Sequence, residues 1–329
     1  MRIGLALPQY DYSVEGDRPL GFDTIVEYAR LAGRAGADSV WLSDHLFLDL
    51  VKYGGPPHRF ACFDPLVTLS ALARLVPEVR IGTLVLCEAL RPAAVLAKAL
   101  ATLDRIGGGR LDIGLGAGWY EPEYEAIGVP MPPPAIRLDR LIEAIDVVKG
   151  LVGGEPFERE TTYQGTIAAQ ARPGSATQPR PRVFIGGKGD RLLGVVAAHA
   201  DGWNTCWTWT TDAYRERLQV LERACVDIGR DPGSVWRSLG LYALCGEDQQ
   251  DLERRFDRLG TSSPNGVLQG DLAGFRASRL VGTVDEVRAQ VRAWEELGVD
   301  TLIVGAGAVP FQVSTPDDVE LLLHACVTA

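Results

Sequence analysis

The sequence predicts an α/β fold, a closed barrel of eight parallel strands with helices packed outside. Short apolar runs alternate with amphipathic helical patterns through about eight units, and that alternation is the mark of parallel strands joined by helical crossovers. The competing layout is an open doubly wound sheet. It usually has fewer units and an early glycine fingerprint, but "GLALPQY" after the first strand carries no G-x-G-x-x-G. None of the loop-rich stretches separates two independently folding halves, so residues 1–329 read as one domain.

The elements follow in order. Arg2–Pro8 reads as a strand and Phe22–Ala35 as an amphipathic helix. Ser39–Asp44 is a strand, and Asp64–Leu75 a helix with Pro65 near its start. Arg80–Leu86 is a strand, and Pro92–Ile106 a helix stopped by Gly107. Leu111–Leu115 and Arg137–Leu151 form the fourth unit, Arg182–Ile185 and Arg191–Ala200 the fifth. Gly202–Cys206 leads to a helix over Asp212–Ile228, with Gly229 as its stop. Arg237–Leu244 is a strand, followed by helical pattern at Asp248–Leu259 and again at Val284–Leu297. Thr301–Val304 and Pro316–Cys326 close the set. Three stretches break the rhythm: a stiff proline linker at Gly128–Ala135, a loop at Val152–Pro181 with a hairpin around "TTYQG", and a loop-rich insertion at Gly260–Ser278 that could serve as a lid.

Composition excludes several functions. The chain is 46% hydrophobic and 23% charged, as expected of a soluble globular protein. Its formal net charge of -10 argues against a broad nucleic-acid surface, which needs clustered positive charge. No secretory leader and no transmembrane stretch is legible. The six cysteines are scattered, without a C-x-x-C pair or histidines at metal spacing. Reduced thiols in a cytoplasmic protein are expected, with no metal and no membrane partner.

The chemistry belongs at the C-terminal ends of the strands, where parallel barrels carry their active sites. "VWLSDHLF", Val40–Phe47, runs from apolar strand into Ser43, Asp44 and His45. An imidazole there can exchange a proton near neutral pH, and a neighbouring carboxylate could fix its tautomer. Direct pairing of Asp44 with His45 needs a turn, because adjacent strand residues face opposite ways. A capping Asp44 and an ordinary loop histidine are the plainer alternative. Gly82 and Thr83 put small groups beneath the third strand's mouth, or simply fill a core strand. Gly114, Gly116 and Gly118 alternate at the end of the fourth strand, where glycine lets a flat ring approach or permits a bulge. Trp119 and Tyr120 follow and could wall a pocket for an aromatic cofactor. "VFIGGKGD" runs from strand into Gly186, Gly187, Lys188 and Gly189 before a helix. Free N–H groups there suit a phosphate, and Asp190 is the expected N-cap. A tight turn without ligand is the alternative.

Taken in order, "SVWLSDHLF", "RIGTLVL", "GGRLDIGLGAGWYEPEYEAIGVP", "IGGKG", "HADGWN" and "LVGTVDEVRAQVRAWEELGVDTLIV" resemble the blocks of the bacterial luciferase-like superfamily of flavin and deazaflavin enzymes. The resemblance runs from Met1 to about Val304 and is nearest to the branch that uses coenzyme F420. It implies a (β/α)8 TIM barrel with an insertion between the seventh and eighth units, here about 241–282. It implies a hydride-transferring oxidoreductase acting on a small molecule, with FMN-dependent monooxygenation fed by a flavin reductase as the alternative. A non-catalytic cofactor- or ligand-binding protein is a third possibility. A homodimer is implied as well. By the same resemblance His45 is the active-site histidine and Asp44 its neighbour. Thr83, Leu84 and Val85, at the end of the third strand, are implied to bind the cofactor, with a cis peptide at Leu84-Val85 packed behind its ring. Gly116, Ala117, Gly118 and Trp119 line the cofactor, and Gly186, Gly187 and Lys188 bind its phosphate. Lys52, Lys188 and Arg191 are candidates to meet the anionic F420 tail. Sugar-phosphate dehydrogenases of the superfamily have a glutamate where this chain has Trp119, which argues against a sugar-phosphate substrate.

Overall fold

A computed structural model describes all 329 residues. Eight parallel strands close on themselves: β1 (Arg2–Ala6), β2 (Ser39–Leu42), β3 (Arg80–Thr83), β4 (Leu111–Gly116), β5 (Val183–Gly186), β6 (Gly202–Trp207), β7 (Trp236–Gly246) and β8 (Thr301–Gly305). Each pairs with its neighbours in sequence order. The ring is sealed where Arg2–Leu5 of β1 pairs with Thr301–Val304 of β8. The expected barrel is therefore the observed one, and no helix is long and apolar enough to cross a membrane.

The helices form because their apolar residues recur every three or four positions and face the sheet. In the first, α1 (Phe22–Arg34), Ile25, Val26, Ala29 and Ala32 are buried. The second, α2 (Pro65–Leu75), is started by Asp64, whose carboxylate accepts from the N–H groups of Leu66 and Val67. The proline linker ends sooner than the sequence indicates. A helix begins at Pro134 and runs to Val152, because proline's fixed φ suits the first helical position. The "TTYQG" stretch is the turn of a hairpin, Phe157–Thr161 against Gly165–Ala169.

Inside the barrel, large side chains are admitted by glycines on facing strands. The Trp41 indole of β2 occupies the space where side chains of Gly4 and Gly82 would stand. Its Nε1 donates to Ser39 Oγ at 2.9 Å. Phe184 of β5 fills the next position, 5.9 Å from Trp41 between ring centres, and a side chain at Gly114 would meet it. Gly82 and Gly114 thus serve packing within the protein, which corrects their reading as room for a ligand.

Two departures shape the mouth. Strand β3 stops at Thr83, and one residue on the Leu84-Val85 peptide is cis, as expected. Leu86–Cys87 then pairs separately with Leu115 and Gly116 of β4. Strand β7 runs on to Gly246, and its last residues pair with a further parallel strand at Leu280–Thr283. Between them lie helices Gln249–Ser262 and Leu272–Arg276.

Candidate active site

A cavity of about 440 Å³ opens at the C-terminal mouth of the barrel, within the range of small-molecule sites. His45, Leu84, Val85, Gly116–Trp119 and Gly186–Lys188 all line it. These residues lie far apart in sequence and meet because strand ends converge there.

The end of β2 is turned by Gln9. Its amide donates to the Ser43 carbonyl at 2.7 Å and accepts from the Ser43 N–H at 2.8 Å. Tyr10 Oη lies 2.6 Å from Ser43 Oγ. The chain pinned in this way sends Asp44 and His45 in different directions. Asp44 is buried and accepts from Arg91 Nη1 at 2.7 Å and from the Cys87 N–H at 2.9 Å. Burial pushes its carboxyl up, against the pull of Arg91.

The imidazole's partner is therefore not Asp44. His45 Nδ1 lies 2.9 Å from Glu123 Oε2, while Glu123 Oε1 accepts from the Leu46 N–H at 2.5 Å. A carboxylate only accepts hydrogen bonds, so it holds the proton on Nδ1 and leaves the Nε2 lone pair uncommitted. Glu123 is not singled out by the sequence because it is one of three closely spaced glutamates in the short, proline-containing helix Glu121–Ala126. Glu121 and Glu125 are exposed, and only Glu123 is turned inward. Trp119 lies edge-on to His45, 5.8 Å between ring centres, and is 43% exposed. The structure thus supplies His45 with a carboxylate, although Trp119 itself cannot.

Other expectations need correction. Thr83 does not line the cavity. It is fully buried, accepting from the Gly114 N–H at 2.8 Å and donating to the Gly114 carbonyl at 3.1 Å. Gly116 and Gly186 make room for Val85: a Cβ would lie 2.8 Å from its Cγ2 at Gly116 and 3.0 Å from its methyl carbons at Gly186. Gly118 has φ +72°, and a side chain there would meet Tyr124 and Cys87. Asp190 is the first helical residue, not the cap. Gly189 is the N-cap and offers no side chain, and Asp190 pairs with Arg217.

The glycine turn still suits an anion. The helix Asp190–His199 has no side-chain cap, so its first N–H groups stay open beside Lys188. Gly187 is held by its own N–H, which donates to the Asn204 carbonyl at 2.9 Å, and its carbonyl accepts from Trp203 Nε1 at 2.8 Å. Arg191 is exposed and does not line the cavity. Tyr53 and Trp207 line it. Phe311, which the sequence did not single out, packs edge-on against Trp207 with ring centres 5.5 Å apart. The Cys206-Trp207 peptide at the end of β6 is cis. These features fit a flat cofactor with a phosphate: an apolar bulge at Val85, an aromatic wall at Trp119 and open donors at the start of the helix after the glycine turn.

Next along the chain from the cavity-lining Cys87, Glu88 is buried with one carboxylate oxygen unpartnered. Burial pushes its carboxyl up to about 7, against the opposing charges of Arg140 and Arg137. The folded state then holds the proton more tightly than the unfolded chain does. Stability should fall as pH rises from about 4.5 to about 7, by at most about 3 kcal/mol. Glu88→Gln should flatten that slope in urea unfolding at pH 5 and pH 8. An unchanged slope would show that Glu88 is solvated.

The model of the luciferase-like monooxygenase family matches residues 1–301. A phthiodiolone/phenolphthiodiolone dimycocerosates ketoreductase from Mycobacterium kansasii is 26% identical, over 83% of this chain and 88% of the relative. An F420-dependent hydroxymycolic acid dehydrogenase from Mycobacterium tuberculosis is 28% identical, over 90% of this chain and 80% of the relative. In structure, the oxygenating constituent of a 3,6-diketocamphane monooxygenase from Pseudomonas putida, solved with FMN, superposes with a TM-score of 0.72 at 18% identity, over 100% of this chain and 98% of that one. The chain belongs to the luciferase-like monooxygenase family, as an oxidoreductase that works with a flavin or deazaflavin.

Proposed function

We propose that the protein is an F420-dependent oxidoreductase that interconverts a secondary alcohol and its ketone. The observation that carries this reading is the His45–Glu123 pair, which leaves one imidazole nitrogen uncommitted on the wall of the cofactor cavity. The ketoreductase and dehydrogenase names of the two mycobacterial relatives support the reaction type, and the second supports the cofactor.

When bound, F420 supplies a two-electron hydride acceptor and donor. Lys188 and the open N–H groups of the following helix would hold its phosphate, with Gly186 and Gly187 giving it room, and Val85 and Trp119 would flank its ring. His45 Nε2 takes the hydroxyl proton as the alcohol carbon gives up hydride, and returns it to the carbonyl oxygen in reverse. Glu123 holds the imidazole in the tautomer that can do so and faces the positive charge that forms. Asp44 acts from behind, fixing Arg91 and the Cys87 N–H so that the Leu84–Leu90 segment keeps its place. The 260–278 segment acts as a lid: its tip rests on the rim, where a Cβ at Gly54 would lie 2.8 Å from the Gly266 carbonyl oxygen.

The family's monooxygenases favour a second reading, FMN chemistry with a separate reductase. Fluorescence titration of cofactor-free protein with F420 and with FMN separates the two. Saturable F420 binding with an affinity at least tenfold above FMN is expected. The reverse preference would overturn the deazaflavin reading, and binding of neither would return the protein to the ligand-binding class.

A further inference from the structure

We propose that Lys52 is the anion anchor of the substrate, and that the substrate is an apolar alcohol or ketone carrying a carboxylate. The inference rests on the oxidoreductase reading above and specifies the molecule that the same cavity takes.

Most of the cavity wall away from the glycine turn is apolar or aromatic: Leu48, Tyr53, Trp119, Trp207, Pro310 and Phe311. One cation stands on this side. Lys52, in the turn Val51–Tyr53, holds its ammonium 4.0 Å from the centre of the Trp119 ring. The same indole lies edge-on to His45, so the ammonium and the imidazole flank one ring at one mouth. A substrate whose reacting carbon lies beside His45 can reach Lys52 across the breadth of an indole.

Lys52 has no ionic partner in the protein. The carboxylate nearest along the chain, Asp49, is taken by Tyr120 Oη at 2.5 Å and by the Val51 N–H at 3.0 Å. Burial pulls the Lys52 amine below its ordinary range, against an opposing effect of the Cys206 thiol, and the like charge of Lys188 adds to the lowering. The two carboxylates that line the same cavity, Asp44 and Glu123, are engaged by Arg91 and by His45 with the Leu46 N–H, so neither lysine has an ion-pair partner, in a protein with 43 acidic and 33 basic residues. An incoming carboxylate would supply the missing charge at the rim of a cavity that buries the rest of the ligand. Such charge-assisted contacts are stronger than neutral ones. Lys188 adjoins the open helix N-terminus and serves the cofactor phosphate, which leaves Lys52 for the substrate.

The test uses a matched pair of ketones, 3-benzoylpropionate and its primary amide, titrated calorimetrically into F420-loaded protein. The wild type should bind the acid at least tenfold more tightly than the amide. Lys52→Ala and Lys52→Gln should abolish that preference, and Lys52→Arg should keep it. F420 affinity of Lys52→Ala should stay within twofold of wild type. No preference in the wild type, or one that survives Lys52→Ala, overturns the proposal. So does a loss of F420 affinity that grows with the number of glutamates in its tail, which would assign Lys52 to the cofactor. If the wild type fails to bind F420, the cofactor reading fails, and the acid and amide comparison on cofactor-free protein still decides the role of Lys52.

Discussion

His45→Ala is expected to lower kcat by about 10²–10⁴ while F420 binding and the melting temperature stay near wild type. The imidazole is the group that meets the reacting hydroxyl, and its side chain sits at the cavity edge rather than in the packed core. Glu123→Gln should give a smaller loss, about tenfold or more. An amide can still accept from the Leu46 N–H, but it no longer offers a full negative charge to the protonated imidazole. Combining the two substitutions should cost little more than His45→Ala alone, because residues that act as a unit are not additive. Pre-steady-state hydride transfer, followed by F420 absorbance, measures the step directly. An unchanged rate in His45→Ala would remove the proton-carrying role and leave the pair a structural contact.

The barrel was legible because each strand and helix writes its own period into the chain. The turn at Gly186–Gly189 was legible as a strand-to-helix connection because glycines between an apolar run and a helical pattern mark one; what it binds is not written in that pattern. Glu123 was not, since its role depends on which face of a six-residue helix is turned inward, and three glutamates in that run compete for it. Gly116 and Gly186 show a different limit. Glycine declares that something comes close, but not what, and here the visitor is Val85 from the neighbouring strand end. Asp44 and His45 stand side by side in the sequence, and whether they pair depends on a turn that the sequence does not show. Adjacent residues leaving a strand diverge, and the fold gives each a different partner.

That divergence predicts opposite phenotypes for neighbouring residues. Asp44→Ala should destabilise the fold by about 1–3 kcal/mol in urea unfolding, because it strands the Cys87 N–H and half of the Arg91 guanidinium. The loss falls short of a fully buried pair's because Arg91 keeps Asp64 at 2.6 Å and remains partly exposed. Burial already weighs against the Asp44 charge, so the pair as a whole contributes less than the single variant suggests. Replacing both residues with apolar ones, Asp44→Leu with Arg91→Met, should therefore cost less than Asp44→Ala alone. Cofactor affinity should fall in Asp44→Ala, since the released segment carries Leu84 and Val85 into or out of the cavity wall, whereas His45→Ala should leave it in place. A stable Asp44→Ala protein with slow hydride transfer would reverse the assignment: Asp44 would then belong to the proton path, and Glu123 to the scaffold.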